Sequence, residues 1–181
     1  MILEGPPVYQ LEEEVEDDWW EVEALYDLCF SPGRTALSSY RLRDGVPTVA
    51  ALCLILRDED GTLAAAIRYW PAEIDEGDGE DGEDVLLLGP IAVHPTRQSE
   101  GLGGLLINES LVEARRLGWE RVLLVGDAPY YSRFGFQKLE GVVMPPPTNP
   151  DRVLGLELKK GAWAGIKGDV IKASGATLPQ A

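Results

Sequence analysis

Histidine occurs once in this chain, at His94, and cysteine twice, at Cys29 and Cys53. No apolar run approaches the ~20 residues that a membrane-spanning helix requires. Each scarcity removes a class of function. One histidine builds no metal site unless several carboxylates converge on it, so no metal is expected. The two cysteines have no metal-ligand spacing and are too few for a disulfide framework. They read as buried free thiols of a reducing compartment, the cytoplasm. The start, Met1-Ile-Leu-Glu-Gly-Pro-Pro, lacks the basic residues and apolar core of a signal peptide. Cationic residues are also few: 16 Lys and Arg against 31 Asp and Glu leave a net charge of −15. That balance repels phosphates and argues against a nucleic-acid partner. Two nucleotide signatures are missing as well. The tripeptide G-K-[ST] of the P-loop occurs nowhere, and the dinucleotide pattern G-x-G-x-x-G/A fails at Leu106.

What remains is an ordinary globular composition, 45% hydrophobic and 26% charged, over 181 residues. This suits one domain, 1–181, with about 161–181 as a C-terminal extension whose last eight or so residues are expected to be loose. Val8 to Glu12 reads as a first strand. Val22, Leu25, Tyr26 and Cys29 recur at helical spacing, which predicts a helix over Asp18 to Cys29. A short helix follows from Pro32 or Gly33 to Leu42. Val49 to Arg57 and Thr62 to Ile74 read as a hairpin turning at Asp58-Glu-Asp-Gly61. Arg68, Tyr69 and Trp70 either line a pocket or pack. Eight acidic residues lie between Glu73 and Asp84 and read as a solvated loop.

The chain is organised around Leu87 to Leu106. Val85–Leu88 and Ile91–Val93 form an apolar strand that breaks at His94-Pro95. Gly101, Gly103 and Gly104 then open a helix running to Gly118. The first N–H groups of a helix lack internal partners and carry the positive end of its dipole, so strand, loop and helix make a phosphate cradle. The glycines also fit the simpler purpose of starting a helix. Glu120 to Val125 is the next strand, parallel to or splayed from the first. A short helix from Pro129 to Phe134 stops at Gly135, and strands follow at Phe136–Val143 and Val153–Leu158.

Two motifs carry a resemblance. Gln98-Ser-Glu-Gly101-Leu-Gly103 has the form Q/R-x-x-G-x-G/A, and Tyr131-Ser-Arg-Phe-Gly-Phe136 the form Y-x-x-x-G-F. With their flanking elements they resemble the GNAT superfamily of acetyl-coenzyme A-dependent N-acetyltransferases, within it a bacterial subgroup of predicted N-acetyltransferases, over roughly residues 8 to 160. The resemblance implies an α/β (α+β) fold, a mixed, twisted, partly splayed β-sheet flanked by helices. It implies acetyl-coenzyme A as co-substrate and an amine acceptor, small molecule or protein, with a homodimer as a compatible assembly. Backbone at Ile91, Ala92 and Val93 would hold the pantetheine arm. Gln98, Ser99, Glu100, Gly101, Leu102, Gly103 and Gly104 would hold the pyrophosphate, with Phe134 beside them. Ser99 and Glu100 depart from the glycine and basic residue common there, and Glu100 adds charge of the wrong sign.

Tyr131 stands where the family places its general acid. No carboxylate interrupts the Val85–Val93 strand, so Asp127 is the candidate base, although its position before Ala-Pro-Tyr also suits a helix N-cap. Tyr131 also reads as a packing aromatic, and His94 as a loop residue. The reading is an N-acetyltransferase working by direct attack on the thioester. The alternative is a non-catalytic acyl-coenzyme A-binding module or sensor.

Overall fold

The computed structural model describes residues 8–174. Strand β4 (Glu83–Val93) carries the apolar run that the sequence marks as central. Its alternate residues feed two cores. Leu86 and Leu88 pack with α3 (Leu102–Arg116), whereas Val85 and Leu87 join Leu42, Met144 and Val153 on the other face. A strand buried on both sides needs continuous hydrophobicity instead of alternation, and Val85–Leu88 has it.

Around β4 lie β1 (Gln10–Glu13), β2 (Leu54–Arg57), β3 (Leu63–Asp75), β5 (Arg121–Val125), β6 (Gln137–Lys138) and β8 (Val153–Glu157). Their order is β1-β2-β3-β4-β5-β8-β6. The pairings along it are antiparallel except β4 with β5, giving a mixed, mostly antiparallel sheet. Helix α1 (Trp19–Phe30) covers one face, burying Val22, Leu25 and Tyr26 against Ile55, Ala66 and Ala92. Each such side chain stabilises the fold by about 1.5–3 kcal/mol relative to exposure. Helix α3 covers the other face with Leu102, Leu106, Ile107, Leu111 and Ala114. Ser110 is the polar residue on that buried face. Its hydroxyl hydrogen goes to Leu106 O at 2.7 Å, so at 2.8 Å it accepts from the Tyr69 hydroxyl. Tyr69 is therefore a core residue.

The structure departs from the sequence reading at several places. Val49–Arg57 is not one strand, because a 3₁₀ turn at Ala50–Leu52 precedes β2 and turns Val49 and Leu52 into the same core. The segment before α2 (Ser38–Arg41) is also 3₁₀, over Pro32–Ala36. Cys53 is buried, but Cys29 is only half-buried. The expected strand Phe136–Val143 divides into β6, paired with β8, and β7 (Val142–Val143), paired with β9. Gly141, at φ 77°, makes the break.

Strand β9 (Gly168–Lys172) falls within the expected tail and pairs antiparallel with Ala72–Asp75 of β3. Only Val170 of its five residues is buried, so it offers almost no periodic signal. The final residues expected to be loose, 175–181, lie outside the described part. The acidic segment is shorter than its composition suggests. Glu73 to Asp75 belong to β3 and Glu83–Asp84 to β4, leaving 76–82 as the loop. Glu73 is buried and accepts a hydrogen bond from Ser174 N.

Candidate functional site

β4 and β5 pair only at Leu86–Val122 and Leu87–Leu123, then diverge. A bulge in β4 accompanies the divergence. Ile67 faces Ile91 and Tyr69 faces Leu88, so Gly89 and Pro90 together stand opposite Arg68. Proline has no N–H to extend a ladder, and bulges re-aim a strand. The Tyr26 hydroxyl donates to Pro90 O at 3.0 Å and ties α1 to the bulge. Beyond it, Leu124 and Val125 bond only to β8. Between the separated strands lies a cavity of about 580 Å³, lined by Leu88 to Ile91 on one side and Leu124 to Asp127 on the other.

The glycine-rich turn stands beside this gap. Gly101 caps α3 with φ 76°, a left-handed conformation in which a side chain would be strained. It supplies no side-chain cap, so the first amides of α3, at Leu102, Gly103 and Gly104, retain no partner within the helix. A Cβ on Gly103 would lie 3.3 Å from the Tyr130 hydroxyl and 3.6 Å from Val93 Cγ2. A Cβ on Gly104 would lie 3.6 Å from Cζ of the Phe134 ring. Gly103 and Gly104 thus let α3 approach β4 and the aromatic cluster closely.

The remaining residues of the turn point elsewhere. Gln98 Nε2 reaches back to Val93 O at 3.4 Å, and Ser99 is exposed. Glu100 accepts from the Tyr9 hydroxyl at 2.7 Å and stands 3.9 Å from Arg97, which also pairs with Asp58 at 3.0 Å. The awkward negative charge is thereby partly compensated beside the helix terminus. Across β4, Ile91, Ala92 and Val93 pair with Ile67, Ala66 and Ala65 on their other edge. His94 is a loop residue whose ring Nδ1 lies 2.8 Å from Thr96 Oγ1.

From β5 the chain turns at Gly126 into α4 (Ala128–Tyr131) and a 3₁₀ turn ending at Gly135, φ 95°. Asp127 is the N-cap of α4: its Oδ2 accepts from Tyr130 N at 3.2 Å. Tyr130 and Tyr131 both line the gap, with rings edge to face at 4.9 Å. Tyr131 also meets the Phe136 ring at 5.9 Å. Burial pushes its phenol up to about 12, with Tyr130 and Asp127 adding to the rise and Arg152 opposing it.

A second, larger cavity of about 1350 Å³ opens on the α1 side of the sheet. Its wall holds a charge network. Arg68 pairs with Glu14 at 2.6 Å and Glu23 at 3.1 Å, and Arg34 with Glu23 and, at 3.1 Å, Asp27. Trp70 donates to Val46 O at 3.0 Å, so Arg68 and Trp70 line this space while Tyr69 does not. Arg34, Tyr40, Arg43 and Pro90 border both cavities. Sequence reasoning gave no site role to Tyr40, Arg43, Gly126 or Arg152. Only Gly126, a glycine directly after a buried strand, carries a local signal.

Comparisons with known proteins agree with this arrangement. Residues 19–136 match the family described as acetyltransferase (GNAT) family. Over 119 residues the chain is 29% identical to the uncharacterized N-acetyltransferase YhbS of Escherichia coli strain K12, covering 64% of this chain and 66% of that protein. The crystal structure of YhbS, a GNAT family N-acetyltransferase from Escherichia coli, in complex with CoA matches with a TM-score of 0.78 at 24% identity, over 96% of this chain and 94% of that one. A GNAT family acetyltransferase from Brucella melitensis, in complex with acetyl-CoA, matches with a TM-score of 0.65 at 24% identity, over 92% and 97%.

Proposed function

Because the chain belongs to the acetyltransferase (GNAT) family, we propose that it transfers an acetyl group from acetyl-coenzyme A to a primary amine by direct attack on the thioester. The observation that carries this reading is the gap between β4 and β5 beside the open N-terminus of α3. The amides of Leu102, Gly103 and Gly104 suit a pyrophosphate. The edge of β4 at Ile91–Val93, left by β5, suits the amide-bearing pantetheine arm. The larger cavity meets the gap around Pro90 and offers the amine its approach.

In the reaction the amine lone pair forms the C–N bond, the C–S bond breaks, and sulfur leaves as a thiolate. The nitrogen then loses a proton. Tyr131 is the residue proposed to help the sulfur. With its phenol at about 12, complete transfer to a thiolate of ordinary pKa ~8.5 is uphill by roughly 5 kcal/mol. Its contribution is therefore a hydrogen bond to the charge developing on sulfur, while the thiolate is protonated by solvent. Asp127 is the proposed proton acceptor, acting through water, with one carboxylate oxygen committed to Tyr130 N. Its burden depends on the acceptor. Neutralising a lysine-like amine at pH 7 costs about 4.6 kcal/mol, and an α-amine about 1 kcal/mol.

The test is thiol release from acetyl-coenzyme A with a panel of amines, alongside calorimetric binding of coenzyme A. Amine-dependent release is the expected result. Binding without release would make the protein an acyl-coenzyme A-binding module, and no binding would overturn the reading.

A further inference from the structure

Four arginines are buried, at positions 34, 43, 68 and 121, and three of them are fully engaged. Arg34 and Arg68 hold the carboxylates described above. Arg121 donates to Ala162 O at 2.8 Å and Asp84 O at 2.6 Å, and meets Glu120 at 3.2 Å. Arg43 differs. It is 9% exposed, and no ion pair reaches it among the described residues. Its Nε and Nη1 have no hydrogen-bond partner, and Nη2 has only a long contact of 3.4 Å to Ser39 Oγ.

Two aromatic rings take the place of a carboxylate. The Arg43 guanidinium lies over Tyr40 at 4.3 Å and over Trp70 at 4.9 Å. Such contacts offset part of the cost of removing the cation from water but leave N–H donors unfilled. A buried guanidinium without an acceptor is expensive, and native proteins rarely leave one so. Its position suggests what completes it. Arg43 borders both cavities, and Nη2 would stand 3.8 Å from a Cβ on Gly89, in the bulge where β4 leaves β5.

We infer that Arg43 is an anion-recognition residue for the acceptor, and that the amine substrate carries a carboxylate that docks at the guanidinium from the cavities it borders. The inference rests on the acetyl-transfer reading and adds the chemical class of the acceptor. A planar carboxylate matches the guanidinium fork, with the two rings fixing the plane in which it is presented. The alternative acceptor, an amine without an anion, would leave the cation unsatisfied while closing it off from water. Arg34 and Arg68 cannot substitute, since Glu14, Glu23 and Asp27 already occupy them.

The experiment compares matched acceptors: a set of amino acids and dipeptides against the same compounds as C-terminal amides, with acetyl-coenzyme A as donor. The wild-type protein should favour the carboxylates by at least tenfold in kcat/KM. Arg43→Gln should erase that ratio, chiefly through KM, while the Kd for acetyl-coenzyme A stays within about threefold. Arg43→Lys should restore part of it. Thermal melts check that the variants are folded. A parallel arm supplies malonyl-coenzyme A and succinyl-coenzyme A. If Arg43→Gln alters the choice among acyl donors and not among acceptors, the residue reads the acyl chain and the inference fails. Turnover of acids and amides at equal rates would also overturn it, while leaving acetyl transfer standing. If neither series turns over, acetyl transfer is judged on the wider amine panel above. Calorimetry with the same compounds in the presence of coenzyme A then decides on Arg43. Carboxylates bound by wild type and not by Arg43→Gln would support it, and indifference would remove it.

Discussion

A Cβ placed on Gly126 would lie 2.6 Å from Cε2 of Tyr131 and 3.0 Å from Cδ2. The aromatic ring thus rests directly on the backbone that ends β5. Neither atom is the tip of a flexible chain, so even a methyl group must push the ring aside. Gly126→Ala should lower kcat at least tenfold by moving Tyr131. A double-mutant cycle checks the route: Gly126→Ala added to Tyr131→Phe should cost little more than Tyr131→Phe alone. Additive losses would show that Gly126 acts elsewhere.

Tyr131→Phe removes one oxygen and keeps the ring contacts with Tyr130 and Phe136. If the hydroxyl serves the leaving sulfur, kcat should fall by roughly 10²–10⁴-fold with little change in acetyl-coenzyme A Kd. Tyr130→Phe is the comparison, because its hydroxyl sits against Gly103 at the helix start. It should be mild in kcat. Steady-state kinetics on both variants settle the assignment, and a larger kcat loss at Tyr130 would reverse it.

Both glycines at the start of α3 should be needed for coenzyme A binding, for different reasons. Gly101→Val strains a backbone at φ 76°, although its Cβ would meet open space. Gly103→Val has acceptable backbone angles but drives side-chain atoms toward Val93 and Tyr130. Each change should weaken binding more than tenfold by calorimetry. Gly101→Asn should be better tolerated, since Asn enters the left-handed region more readily. Equal losses for Asn and Val would remove conformation as the cause.

Stability should fall as the solution becomes alkaline. Burial raises the phenols of Tyr26, Tyr69 and Tyr131 above their ordinary value near 10. A raised folded pKa gives stability that is present in full below the unfolded value and is lost as pH climbs through the folded one. For Tyr131 the window runs from about 10 to about 12. Within it each buried phenol removes about 1.4 kcal/mol per pH unit. Urea denaturation between pH 9 and 11 should therefore show a shallower decline for Tyr131→Phe than for wild type. Identical slopes would mean that this phenol is hydrated in the folded protein.

What the sequence made legible follows physical range. The glycine turn, the helix start and the Y-x-x-x-G-F turn are local patterns, and the structure brings all three to one gap. α1 was visible because Val22, Leu25 and Tyr26 repeat along a single face. Arg43 offered nothing to read, since an arginine in a short turn is ordinary until Trp70, distant in sequence, joins the neighbouring Tyr40 in closing around it. The acidic segment misled through composition. Glu73 looks like its neighbours on the page yet is buried against Ser174. Replacing residues 76–82 with a two-residue turn should accordingly leave the melting temperature nearly unchanged, whereas Glu73→Ala should lower it measurably. Equal effects would undo that distinction.

The pairing of β9 with β3 bears on how the protein is made. Ala72 and Lys172 are register partners although roughly a hundred residues separate them along the chain. Strand β3 leaves the ribosome early, with β2 available at one end and β4 soon after along its length. Its stretch from Ala72 to Asp75 keeps one edge bare until residues 168–172 have been synthesised. A bare edge recruits whatever strand is nearby, including one from another nascent chain. Glu73 and Asp75 on that stretch carry charge that discourages such encounters while the edge waits. The late strand therefore closes an edge that the rest of the sheet leaves open, and a premature stop before Gly168 would release a molecule with its glycine turn complete and that edge of β3 still bare.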